Sequence, residues 1–205
     1  MFISPLTAIE KGWIKFPDWM SEEQKQKCIQ ANAVDITIDR AFVHDFSIIP
    51  FELSEDHKQM IKQTELNPED EIFVVPANGM LDIMSDFYVT VPAGVVASFI
   101  VRSTLNRNGL FVTNGLYDQG WIGPCGAILH NRAPISAYIK KHTRVAQLYF
   151  IAAQDSGIMY NGDYNNAKQG QHWSHNFNEP KQHQSFSTGN NVGEFTVDPT
   201  KSEYL

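Results

Sequence analysis

The sequence predicts an all-β domain: a barrel or sandwich of short strands, with a few short helices near the N-terminus. Three observations carry that expectation. Apolar runs of strand length recur from about residue 71 to 153, and glycine-containing turn signals separate them. Helical signatures are confined to short stretches before residue 70. The longest apolar runs fall far short of the ~20 residues a membrane helix needs.

Taken in order, Ser21-Glu22-Glu23-Gln24 has the form of a capping box, with acids in the first turn, and predicts a short helix from about 21 to 30. Ala33-Val34-Asp35-Ile36-Thr37-Ile38-Asp39 alternates apolar and polar, the pattern of a half-buried strand. Ser54 caps a second short helix, with Glu55 and Asp56 in its first turn and Lys62 in its last. Strand runs then follow at Ile72–Pro76, Met80–Met84, Tyr88–Val91, Val95–Arg102, Leu110–Val112, Cys125–Asn131, Ile135–Ile139 and Val145–Ala152. Between them lie Asn78-Gly79, Pro92-Ala93-Gly94, Asn108-Gly109 and Asn114-Gly115, and both residues of an Asn-Gly pair tolerate positive φ. From about residue 154 the chain is rich in Asn, Gln, His and Gly without a period. It divides into 1–153, a β-domain with an N-terminal helical extension, and 154–205, a polar arm that is flexible or ordered by a ligand or neighbouring subunit.

Composition bounds the function. The chain has 205 residues, about one domain, and 42% of them are hydrophobic, enough for a core. Sixteen Lys and Arg against 23 Asp and Glu give a net charge of −7, which argues against a general nucleic-acid binder but leaves room for a local cationic pocket. Cys28 and Cys125 are too few for a disulfide scaffold or a four-thiolate metal site. Met1-Phe2-Ile3-Ser4-Pro5 lacks the layout of a signal peptide. The expected setting is cytoplasmic, with no membrane and no nucleic acid as partner.

Three segments stand out chemically. Arg102-Ser103-Thr104-Leu105-Asn106-Arg107 offers two guanidiniums, a hydroxyl and turn amides, which suit a phosphate chain or, more plainly, a solvated strand end. Gly115-Leu116-Tyr117-Asp118-Gln119-Gly120-Trp121 sets one carboxylate in a glycine-rich hairpin beside two aromatics, either for a planar ligand or for the turn's own amides. Lys141-His142-Thr143-Arg144 leads into an apolar strand interrupted by Gln147, which faces outward or is buried with partners. The zinc-deaminase signature is absent, because Pro124-Cys125 has no second Cys, and so is a P-loop. His172 and His175 stand in a polar tail without a carboxylate or thiol cluster, a poor metal site.

In this order and with these gaps, the segments resemble those of the dUTPase and dCTP deaminase superfamily. Ala33-Val34-Asp35-Ile36 is similar to its first motif, Arg102-Ser103 to its second, Gly115 to Asp118 to its third, and Arg144-Val145-Ala146-Gln147-Leu148 to its fourth. The likeness runs from about residue 30 to 153. The longer N-terminal part and the Arg-Ser-x-Leu-x-Arg-x-Gly spacing are closer to the deaminase branch than to short dUTPases.

The resemblance implies a distorted β-barrel of jelly-roll type, a homotrimer with sites at subunit interfaces, and a deoxynucleoside triphosphate as substrate. As in the family's hydrolases, Asp118 would activate water for attack on the α-phosphorus, turning dUTP into dUMP and pyrophosphate. Arg102, Ser103, Arg107 and Gln147 would hold the triphosphate, Trp121 would pack on the deoxyribose, and Asn114, Gly115 and Leu116 would meet the base largely through backbone groups. Mg2+ would ride mainly on the phosphates. The deaminases place a glutamate ten residues after the hairpin Asp; here that position is Ile128, with His130 the nearest titratable group on the same face. In the arm, Lys168 and Gln169 resemble the phosphate-contacting pair of the deaminase tail, and Phe186-Ser187-Thr188-Gly189 is similar to part of the dUTPase C-terminal motif. Nucleotide diphosphatase is thus the leading expectation. The alternatives are a dCTP deaminase-like enzyme and a non-catalytic nucleotide-binding or regulatory member.

Overall fold

The two longest strands pair antiparallel at the centre of the molecule: β7, Met80–Thr90, and β10, Ile122–Asn131. The structure, a computed structural model, describes residues 1–45, 63–67, 71–162 and 165. Around the central pair runs a sheet ordered β5-β4-β7-β10-β9, with β4 at Arg40–His44, β5 at Gln63–Glu65, β9 at Leu110–Thr113, and β2, Ile14–Lys15, also on β7. A second sheet is built on β12, Arg144–Ala152, which pairs with β1, Phe2–Ile3, with β3, Val34–Thr37, and with β8, Val95–Val101. A ribbon of β6, Ile72–Val75, and β11, Ala137–Lys140, completes the wrap. Every pairing between these strands is antiparallel, and the whole has the all-β, dUTPase-like architecture that the sequence predicts.

The core lies where alternate residues of these strands meet. Phe73, Phe87, Phe150, Ile38, Leu81, Leu129 and Leu148 are fully buried there. Along β10 the alternation is plain: Ala127 and Leu129 point inward, whereas Ile128 and His130 are half-buried on the outer face. Of the short helices, α1, Pro5–Glu10, starts on proline, whose fixed φ suits a first turn. In α2, Glu22–Cys28, both bonds of the expected capping box are formed: Gln24 N–H donates to Ser21 Oγ and Ser21 N–H donates to Gln24 Oε1.

Four expectations need correction. The strand over 33–39 is not half-buried, because residues 34 to 39 are all buried and the polar members find ionic or hydroxyl partners. Met80–Met84 and Tyr88–Val91 belong to one strand. The register shifts opposite Pro124/Cys125, and Ser85 Oγ and Asp86 N–H turn onto the buried Asp39 carboxylate instead of breaking the ladder. Residues Ser103–Arg107 form a one-turn helix, α3, rather than an open turn. The start of the polar arm is ordered against its own chain, as described below. The expected helix after Ser54 lies outside the described residues.

Asn131 joins the ribbon to the central sheet. It is fully buried, its amide donates to the carbonyls of Val75, Pro76 and Ile135, and its Oδ1 accepts from Ala133 N–H. Asn131→Ala strands three carbonyls in a dry site and is expected to cost about 2–4 kcal/mol. Urea unfolding checks it, and a loss below about 0.5 kcal/mol contradicts the assignment.

Candidate active site

Strands β3, β8 and β12 converge on one buried carboxylate. Asp35 is 0% exposed and stands directly opposite Gln147 in the β3–β12 register. Its Oδ2 lies 3.2 Å from Arg102 Nε and 3.0 Å from Arg144 Nη1, and its Oδ1 accepts from Gln147 Nε2 at 3.1 Å. Arg102 Nη1 also donates to the Arg144 carbonyl at 3.3 Å, and Arg144 Nη1 to the Lys27 carbonyl at the end of α2 at 2.6 Å. Two guanidiniums and one carboxylate leave a net positive charge at a surface where both arginine side chains reach solvent, 28% and 34% exposed. Burial raises the Asp35 pKa above the usual carboxylate value, and the arginines and Gln147 offset only part of that.

Ser103 and Arg107 continue from Arg102 into α3, and both are exposed. The structure thus gathers Arg102, Ser103, Arg107 and Gln147 around the end of β8, and adds Asp35 and Arg144.

Asp118 lies elsewhere. Tyr117 forms an isolated bridge with Ala97, so Asp118 sits level with Val96, six strand positions before Arg102, about 20 Å along β8. The Asp118 side chain is exposed and lines a cleft of about 360 Å3 with Val96, Gln119, Ser156, Ile158 and Tyr160.

The rest of the hairpin is held from inside. Tyr117 is buried, and its hydroxyl donates to the Gly126 carbonyl and accepts from Gly126 N–H, both at 3.0 Å. Trp121 is 6% exposed between the rings of Tyr117 and Tyr160, and its indole Nε1 makes no hydrogen bond among the described residues. Asn114 Nδ2 donates to Ser98 Oγ, while Leu116 is 57% exposed. Gly120 has φ +91, and a Cβ there would meet Tyr160 N at 2.8 Å, so only glycine fits this close crossing. Lys168, Gln169 and the Phe186 to Gly189 segment lie outside the described residues.

Ile128 pairs with Asp82 on β7 and Thr113 on β9. No acid stands at that position of β10. The neighbouring carboxylate, Asp82, is buried and accepts from Gln63 Nε2 at 2.9 Å, and His130 shares a hydrogen bond with Thr113. Among the described residues no group of three or more His, Cys, Asp or Glu side chains could hold a metal ion.

These strands and motifs define a recognised family. A model described as dCTP deaminase-like matches residues 9–153, and the chain belongs to that family. A probable deoxyuridine 5'-triphosphate nucleotidohydrolase of Methanopyrus kandleri is 30% identical over 152 residues, which cover 73% of this chain and 92% of that protein. A dCTP deaminase of Acidianus ambivalens is 30% identical over 143 residues, 69% of this chain and 77% of that one. The solved 2'-deoxycytidine 5'-triphosphate deaminase of Agrobacterium tumefaciens shares the fold, with a TM-score of 0.54 at 12% identity over 74% of this chain and 48% of that chain. No helix among the described residues is long and apolar enough to cross a membrane.

Sequence reasoning named Asp35 only as part of a motif and gave no part to Arg144 alone, to the Lys27 carbonyl or to Gln119. The Asp-to-Arg pairing spans β3 and β12, and no local spacing announces it.

Because burial raises the Asp35 pKa, its ionised form weighs against the folded state at neutral pH. That cost is relieved as pH falls through the folded value toward the ordinary 3.8. Asp35→Asn is therefore expected to be no less stable than wild type at pH 7, with an advantage that shrinks on acidification. Its KM for a triphosphate is expected to rise about tenfold as the guanidiniums lose their shared anchor. Urea unfolding at several pH values, beside initial rates, checks both.

Proposed function

We propose that this chain is a deoxynucleoside triphosphate diphosphatase that converts dUTP to dUMP and pyrophosphate. The observation that carries the reading is the contrast between the two acid positions: an exposed Asp118 at the cleft, and Ile128 where a deaminase would need its glutamate. An isoleucine moves no protons.

In this mechanism the Asp118 carboxylate takes a proton from water, and the resulting hydroxide attacks the α-phosphorus. The bond from that phosphorus to the α,β-bridging oxygen breaks, and pyrophosphate leaves. Arg102, Ser103, Arg107 and Gln147 hold the phosphates, with Lys168 and Gln169 added from the arm. Phosphoryl transfer needs positioning and charge neutralisation more than covalent help, and a placed base contributes ~10²–10⁴-fold. Mg2+ would enter as part of the substrate, carried on its phosphates. The hairpin backbone at Asn114, Gly115 and Leu116 contributes the base contacts, while Trp121, expected to pack on the sugar, is buried between Tyr117 and Tyr160 and supports the hairpin from inside.

About 20 Å of β8 lies between the backbones of Asp118 and Arg102, which favours a site completed by a second copy in a homotrimer. The outer face of β8 and β1 supports this, since Ile100 and Phe2 are 57% and 58% exposed there. Deamination of dCTP is the second reading, favoured by the deaminase-like N-terminal length and Arg107 spacing, by the dCTP deaminase-like family model and by the buried Asp82 carboxylate across from Ile128.

A panel of deoxynucleoside triphosphates with products identified by mass separates the readings. Pyrophosphate from dUTP supports the proposal, ammonia from dCTP supports the second reading, and tight binding without product marks a non-catalytic member. Asp118→Asn is expected to lower kcat at least about 100-fold, and unchanged turnover rejects Asp118 as the base.

A further inference from the structure

Gln119, next to Asp118, is buried and fully used. Its Oε1 accepts from Gly94 N–H at 2.9 Å, and its Nε2 faces Asp155 Oδ1 at 2.9 Å, Ser156 Oγ at 3.2 Å and the Ile158 carbonyl at 2.8 Å. The amide orientation is forced by its neighbours, because a backbone N–H only donates and a carbonyl only accepts. Its own carbonyl accepts from Tyr160 N–H at 2.7 Å. Asn165 adds a second latch: its Oδ1 accepts from Ile122 N–H and its Nδ2 donates to the Gly120 and Tyr160 carbonyls. Three parts of the chain therefore meet at one side chain: the turn before β8, the Asp118 hairpin and the segment after β12. That last segment supplies Ser156, Ile158 and Tyr160 to the wall of the cleft that Asp118 lines.

We propose that Gln119 is a positioning residue that locks the root of the arm, residues 153–160, onto the catalytic hairpin, so that the cleft wall and the Asp118 carboxylate are set as one unit. This rests on the reading of Asp118 as the base. Gln119 touches no reacting atom in this scheme. It acts through the backbone of the residue beside it, where a misplacement of about 1 Å is enough to cost rate. Asp155 is held below the usual carboxylate range by the Gly157 N–H and by Gln119, so the lock carries a negative charge on the arm side.

The charge makes a swap possible. In Gln119→Glu a carboxylate faces Asp155 and the Ile158 carbonyl, so the lock is repelled rather than closed. When Gln119→Glu is combined with Asp155→Asn, the amide introduced on the arm donates to the carboxylate introduced on the hairpin and the charge repulsion is removed, whereas the Ile158 carbonyl still faces an acceptor and the Gly157 N–H loses its Oδ1 partner, so the lock is restored in part. The expected results are a kcat about tenfold or more lower in the single variant with KM within about twofold, and recovery of part of that loss in the double variant. Hydrogen exchange gives a readout independent of activity: the Gly94 and Tyr160 amides lose protection in Gln119→Glu and regain part of it in the swap.

Unchanged protection in the single variant overturns the lock. Lost protection with kcat unchanged overturns the positioning role and leaves a purely structural clamp. A kcat loss of which the swap recovers nothing also overturns the proposal. Asp118→Asn in the same series separates the two claims: if it turns over dUTP like wild type, the base assignment fails whatever Gln119 does.

Discussion

A carboxylate with no access to water decides how this molecule presents positive charge. Burying Asp35 is unfavourable, as its raised pKa records, and the two guanidiniums and one amide around it offset only part of the cost. The arrangement is therefore better understood as orientation than as stabilisation. Arg102 leaves the end of one strand, Arg144 begins another, and Gln147 lies three residues further along that second strand. Without a shared acceptor these long side chains would sample many rotamers. With one, they face a single patch of surface, still one charge to the positive side.

The same topology that gathers the cationic patch removes the acid from it. Tyr117 is bridged to Ala97 at the start of β8, whereas Arg102 follows its end, so the length of β8 separates the Asp118 carboxylate from the arginine cluster. Between them the outer face of the strand carries Val96, Ser98 and Ile100, a surface suited to a second copy of the chain. In the proposed function, a division of this kind makes catalysis contingent on assembly. It also gives the hairpin a reason to be held firmly within its own chain, which the buried Tyr117, Trp121 and Gln119 do.

Much of this was legible in the sequence where signals are local. The capping box at Ser21 and Gln24, the strand runs of the second half and the turns between them follow from period and turn chemistry. The order of motifs was enough to point to the family. What was not legible depends on contacts far apart in the chain. Nothing near Asp35 says that its strand is covered on its polar side, because the covering groups come from β8 and β12. Nothing in Ser85-Asp86 says that it bulges instead of turning, because the acceptor is Asp39. Gln119 in a polar, glycine-rich stretch reads as an ordinary turn residue, and its partners lie 25 to 39 positions away.

The central claim is that Asp118 of one copy and Arg102 of another serve the same substrate. Mixing two variants, Asp118→Asn and Arg102→Ala, each inactive alone, tests it directly after unfolding and co-refolding to allow exchange. Mixed assemblies contain sites with an intact Asp118 from one variant and an intact Arg102 from the other, so pyrophosphate release from dUTP is expected to reappear. A mixture that assembles to the wild-type size and stays as inactive as its components would contradict the account.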